Sequence, residues 1–318
     1  MKITFISQKG YSFIERNSPH VPVDLAQQCS LKAFNHHYSQ LDEMKNEWDV
    51  IILLIPKTQQ DRDNLFSMFP YDSDKNELVE KTKKISKKIW YMQEGPSWIF
   101  QDLPIHQQFW HYSVLNSVDG ILCENKTDIP YYEGLVGDKK ITDMIEDLIK
   151  DYDKIEKEEK VIIGGNFCRW YGGFDSYVVA QEFNCPIFVP SMGRRVENEE
   201  LVPNLTHYPY LNWNQWIKTL ATHKYAIHLM PTIAAGTFAM NCAFLGLPCI
   251  GYEDADTQRL LHPQLSVRLG DVEKARKLAN KLKNNKKFLE NCSKECKLNY
   301  QNLYSEDKFL EHMNKTFN

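Results

Sequence analysis

Short apolar runs recur along the chain, spaced so that a helix fits between each pair. In the first half they are Ile3–Ile6, Val50–Ile55, Ile89–Met92 and Gly120–Cys123. Runs apolar at successive positions, rather than at every second one, fit strands covered on both faces, and the helix-length polar stretches between them predict a parallel sheet. The segment ITDMIEDLIKDYDKIEKEEK (141–160) then puts Met144, Ile145, Leu148, Ile149 and Tyr152 on one helical face, and its end marks a domain boundary. The strand rhythm restarts with Val161–Gly164, Ile187–Val189, Tyr225–Leu229 and Pro248–Gly251. Between those strands Trp213, Trp216 and Leu220 share a helical face, and Thr237 is placed to cap a helix that Gly246 ends. Asp271 caps a further helix with Val272, Ala275, Ala279 and Leu282 inward, and Lys286–Asn318, free of Gly and Pro, continues as helix. The expectation is an α/β protein of two domains, 1–156 and 157–299, with a C-terminal helix over 300–318 that packs back on the first domain.

Composition narrows this little. At 318 residues and 42% apolar content the chain can fill two cores. A net charge of -4 gives no general attraction to phosphate backbones or anionic lipid, so nucleic acid is not the favoured partner. The N-terminus MKITFIS lacks the apolar core of a signal peptide, and no stretch approaches a membrane span, which predicts a cytoplasmic protein with no integral membrane segment. Eight cysteines without a Cys-x-x-Cys pair read as reduced core thiols, with neither disulfides nor a metal expected.

The chemistry concentrates in His228–Gly251, which reads strand, small-residue loop, helix, glycine stop, strand. Ala234, Ala235, Gly236 and Thr237 leave the predicted helix N-terminus bare. Its outward N–H groups and positive dipole end suit an anion, small side chains let a diphosphate approach, and the Thr237 hydroxyl adds a donor. A second glycine-rich stretch, Gly164-Gly165-Asn166 through Arg169 to Gly172-Gly173, follows the first strand of the second domain. In the first domain, Gln93-Glu94-Gly95-Pro96 ends a strong strand, at the edge where open α/β sheets bind ligands.

The order of turn, helix, Gly-x-Pro step and strand in the C-terminal half resembles the GT-B superfamily of glycosyltransferases. The resemblance implies two Rossmann-like domains with parallel sheets facing a central cleft. It further implies transfer of a sugar from a nucleoside diphosphate sugar, a UDP-sugar by preference, to the hydroxyl of a glycan or other small acceptor. No permanently bound cofactor and no metal are implied. The Glu-x7-Glu pattern of retaining members falls here on Ile233 and Asn241, so retaining stereochemistry does not carry over, and Asn241 is left to hydrogen-bond the ribose. Gly236 and Thr237 would hold the diphosphate, with Arg169 neutralising it as it leaves. Arg194, beside Arg195, offers a second cationic pair, and Tyr210 would stack on the base. Glu94 is the candidate general base, with His111 and His106 as alternatives from the following aromatic-rich segment, and Lys9-Gly10 bordering the same cleft. Three other readings share this fold: a nucleotide-sugar 2-epimerase, a phage-type DNA glycosyltransferase and a non-catalytic nucleotide-sugar-binding protein.

Overall fold

A computed structural model describes residues 1–8, 31–56, 59–72, 75–93, 95, 97–144, 155–191, 202–211, 213–234 and 236–318. The chain divides into two compact units, residues 1–145 with 309–318, and residues 146–308.

Unit 1 is built on a six-stranded sheet: β1 (Ile3–Ser7), β2 (Phe34–His37), β3 (Val50–Ile55), β4 (Ile89–Gln93), β5 (Gly120–Cys123) and β6 (Lys140–Asp143). All neighbours are parallel, in the order β2-β1-β3-β4-β5-β6. Successive residues of β3 point to opposite faces, so Ile51, Leu53 and Ile55 join one core and Val50, Ile52 and Leu54 another. The first core receives Leu65 from α1 (Gln59–Met68), Leu78 and Val79 from α2 (Glu77–Lys83), and Trp110 and Val114 from α3 (Ile105–Ser117), while α4 (Ile129–Val136) adds Tyr132. Gly120 sits in register with Trp90, whose ring occupies the place a side chain would take: a Cβ there would lie 2.4 Å from it.

Unit 2 carries β7 (Glu158–Ile163), α5 (Gly173–Ala180), β8 (Ile187–Val189), β9 (Leu205–His207), α6 (Trp213–Ala221), β10 (His223–His228), α7 (Thr237–Phe244), β11 (Cys249–Tyr252), α8 (Asp256–Leu261), β12 (Ser266–Val267), α9 (Val272–Asn284) and α10 (Lys286–Leu303). Its six strands are parallel and run β12-β11-β10-β7-β8-β9. Numbered within the unit this is the doubly wound Rossmann order, and the direction of winding reverses between β7 and β10. Phe238 and Cys242 of α7 and Leu220 of α6 pack on the face that carries Ile162, Ala226 and Cys249. Val179 of α5 and Ala275, Ala279 and Leu282 of α9 cover the other.

Sequence patterning and structure part in several places. The segment expected to begin a helix at Ile141 instead forms β6, because β5 offers that stretch a sheet edge: Ile141 pairs with Ile121 and Thr142 with Leu122. Of the helical face expected there, Met144 is buried in the second core of unit 1, whereas Ile145, Leu148, Ile149 and Tyr152 lie outside the described residues. The tail does not run on as one helix: it breaks after Leu303, and α11 (Glu306–Phe317) follows. Thr237 is the first helical residue of α7 rather than its cap, since Gly236 takes the capping position in a left-handed conformation, φ +68°. Gly246 does end α7, at φ +58°, with Gly246 N–H donating to Ala243 O (3.0 Å) and Leu247 N–H to Cys242 O (2.8 Å), the paired bonds of a Schellman stop.

From Phe309 onward α11 belongs to unit 1, where Phe309, Met313 and Phe317 fill the second core beside Trp90 and Met92. Lys88 and Lys140 donate from unit 1 to the last carbonyls of α11, those of Phe317 and Thr316, where cations complement a helix C-terminus. Truncating a buried aromatic leaves a cavity, so Phe317→Ala should cost about 3–5 kcal/mol. Urea unfolding checks this. An unchanged midpoint would mean that α11 is not part of the unit 1 core.

Candidate functional site

In an open α/β sheet, ligands bind beyond the carboxyl ends of the strands where the winding reverses, because the flanking loops diverge there and leave a crevice. In unit 2 that point lies between β7 and β10. The chain leaves β7 through Gly164-Gly165-Asn166 and a short turn, Arg169–Tyr171, before α5. It leaves β10 through Leu229–Gly236 before α7. The two loops meet closely: a Cβ on Gly172, itself at φ +65°, would fall 1.7 Å from Leu229 O, so only glycine fits.

Gly236 is fixed just as tightly. The Thr257 hydroxyl of α8 donates to Gly236 O (3.0 Å), and a Cβ on Gly236 would lie 2.0 Å from the Thr257 hydroxyl oxygen. Ala239 N–H (3.1 Å) and Met240 N–H (3.4 Å) donate to the Gly236 carbonyl as well, closing the first turn of α7. The helix runs back from the carboxyl edge of the sheet, so its N-terminal N–H groups and positive dipole end face that edge. A small cavity behind the turn is lined by His228, Met230, Gly236, Ala239, Tyr252, Ala255, Thr257 and Gln258.

The polar groups around it are held neutral. Burial pushes the His228 imidazole down to about 4, and its Nε2 is buried with no hydrogen-bond partner among the described residues. His262 is likewise pushed down to about 4 by burial; its Nε2–H donates to Ala239 O (3.0 Å) while Nδ1 accepts from Cys249 N–H (3.4 Å), a pattern only the neutral ring satisfies. Gln258 donates to Cys249 O (2.9 Å), tying α8 to β11.

The sequence-based candidates distribute as follows. Gly236 and Thr237 form the entry to α7, and Asn241, one turn later, is buried in the same helix. Arg169 is exposed in the loop after β7, its guanidinium 5.0 Å from the Trp170 ring. Tyr210 follows β9 at the outer end of the same sheet and is 73% exposed. His111 lies in the unit 1 core: its ring stacks on Phe100 (3.6 Å), Nε2 meets the Tyr91 hydroxyl (2.6 Å), and burial pushes it down to about 3. His106, on the same helix, is exposed. Glu94, Arg194, Arg195, Lys9 and Gly10 lie outside the described residues.

Sequence reasoning missed Thr257, Gln258 and His228 as parts of this site, and it expected no Asp-x-Asp motif in a strand-end loop, whereas Asp254-Ala255-Asp256 stands just beyond β11. Asp256 is buried and paired with Arg259 (2.6 Å). The signal available for Thr257 was its position at the start of the helix after β11, the strand next to β10.

No protein-family model and no curated protein matches the sequence. Solved structures do match in fold. The chain is similar to a sucrose-phosphate synthase from Thermosynechococcus elongatus, with a TM-score of 0.68 at 9% identity over 100% of this chain and 98% of that one. An alpha-glucosyltransferase solved with UDP-glucose and DNA containing an abasic site gives 0.65 at 11%, over the whole of both chains. Anabaena HepE, solved with UDP and glucose, gives 0.62 at 10% over 99% of each. With its two parallel six-stranded sheets, the chain has the GT-B glycosyltransferase fold. No described helix is long and apolar enough to cross a membrane.

The packing at Gly236 and the neutral histidines each leave a mark on stability. Gly236→Ala adds a left-handed penalty of about 1–2 kcal/mol to a steric overlap with Thr257, so the unliganded protein should unfold at a clearly lower temperature. An unchanged Tm would show that the turn relaxes freely. His223, His228 and His262 are held at about 3, 4 and 4 when folded, below the ordinary 6.5. Between those values the unfolded chain binds more protons than the folded one, so their contribution is full above pH 6.5 and is lost as pH falls toward 4. Near pH 5 these three groups should add close to three protons taken up on unfolding, about 4 kcal/mol per pH unit at most. Denaturant melts across that range check it, with His262→Gln flattening the slope.

Proposed function

We propose that the protein is a glycosyltransferase that binds a nucleoside diphosphate sugar in unit 2, its diphosphate seated against the Gly236 turn and the first turn of α7. The observation that carries this reading is the placement of that turn. A helix N-terminus entered through a left-handed glycine stands at the reversal point of a Rossmann sheet, inside a GT-B fold. N–H groups and dipole stabilise the diphosphate there, and the small residues of the turn let it come close.

Arg169, exposed on the adjoining loop, supplies positive charge as the diphosphate departs. Asn241 is assigned to the ribose and Tyr210 to the base, which the UDP-bound structures of similar fold suggest is uracil. The acceptor hydroxyl oxygen forms its bond to the anomeric carbon as the bond to the diphosphate oxygen breaks. The hydroxyl proton passes to a general base, the role the sequence assigns to Glu94.

A panel of UDP-, GDP-, ADP- and CMP-linked sugars tests the donor site through thermal stabilisation. A ligand at one hundred times its Kd should stabilise the protein by about 2.7 kcal/mol. We expect a shift with one of the diphosphate-linked sugars, largely abolished in the Thr237→Ala, Arg169→Ala double variant. No shift with any of them would contradict the proposal.

A further inference from the structure

We propose that His228 is a donor-binding residue, gripping the diphosphate through a neutral Nε2–H from the floor of the site; the assignment rests on the donor reading above. The argument begins with register. His228 on β10 pairs with Gly251 on β11. Ile227 pairs with Ile163 on β7, which places Gly164 beside His228 on its other side. Gly164, just past the end of β7, His228 at the end of β10 and Gly251 in β11 therefore form one row across three neighbouring strands, with the imidazole flanked by a glycine on each side.

Neither glycine can be replaced without filling the niche. A Cβ on Gly164 would lie 2.7 Å from both the His228 ring and Phe238, and one on Gly251 would lie 2.6 Å from Gln258 Oε1. Aromatic walls fix the ring in place: Tyr171 lies nearly parallel to it at 6.2 Å, and Phe238 meets it edge-on at 5.1 Å. His228 lines the same cavity as Gly236, the residue that turns the chain into α7.

Packing alone does not account for a histidine here. Its Nε2 is buried without a partner among the described residues, which costs stability that a phenylalanine of similar shape would not. A phosphate oxygen arriving at the Gly236 turn supplies the missing partner. Burial keeps the ring neutral at physiological pH in the unliganded protein, so it is as a hydrogen-bond donor that it meets an arriving phosphate. It adds direction where the helix dipole supplies only field.

The test titrates UDP, inorganic pyrophosphate and uridine into the full-length protein and into His228→Phe and His228→Gln. Phenylalanine keeps the packing and removes the donor; glutamine restores an N–H near the position of Nε2. We expect His228→Phe to weaken UDP and pyrophosphate about tenfold or more, the value of one hydrogen bond to a charged group, with uridine unaffected and His228→Gln near wild type. In the wild type the His228 ring nitrogen resonances should move on adding pyrophosphate, a readout that stands even if the Phe variant folds poorly. Equal UDP affinity in wild type and His228→Phe, with unmoved ring resonances, would overturn the assignment. A wild type that binds neither UDP nor pyrophosphate would instead remove the donor reading beneath it, and the two failures are told apart by that wild-type titration.

Discussion

The hydrogen bond from the Thr257 hydroxyl to Gly236 O is the contact on which the site depends. It fixes a left-handed residue at the entry to α7, and so sets where the helix begins and which N–H groups face the carboxyl edge of the sheet. The constraint reaches outward from there. Thr257 is held because α8 is tied to β11 through Gln258, and α7 is held from below by His262, which bridges Ala239 O and the Cys249 N–H. Three consecutive pieces of the chain, α7, β11 and α8, thus form one hydrogen-bonded block. An anion site of this kind works through backbone groups whose direction is set before the ligand arrives, which spares reorganisation when charge develops.

Unit 2 gives up side chains to make room. Gly164, Gly172, Gly236 and Gly251 each stand where a Cβ would strike a neighbour, and all four lie at the carboxyl ends of β7, β10 and β11 or in the loops that leave them. The loss of apolar packing at that edge is offset deeper in the unit, where Ile162, Ile163, Ala226, Ile227 and Ile250 are wholly buried in the same strands. In β7, β10 and β11 the change comes within one residue: Ile163, Ile227 and Ile250 are core, and Gly164, His228 and Gly251 follow them at the edge.

Much of this was legible in the sequence, for a physical reason. Val50–Ile55 and Tyr225–Ile227 announce themselves because a strand covered on both faces must be apolar throughout. Edge strands escape that requirement. Phe34–His37, Lys140–Asp143 and Leu205–His207 are short and partly polar, and only pairing with a neighbour makes them strands. The Gly236 turn could be found from its small residues and the Gly246 stop. The row of Gly164, His228 and Gly251 could not, since its members come from three separate strands and only register brings them together. Asn241 acquired a role solely through the superfamily pattern, as nothing local distinguishes a buried asparagine in a helix from a packing residue.

The central claim is that the carboxyl edge of the unit 2 sheet is where a diphosphate donor binds. Hydrogen–deuterium exchange with and without UDP-glucose tests it most directly, because it reports where backbone amides become protected. The account predicts slowed exchange concentrated in peptides covering Gly164–Gly173, His228–Asn241 and Gly251–Gln258, with the remainder of unit 2 unchanged. Protection confined to other segments, or none at saturating ligand, would contradict it.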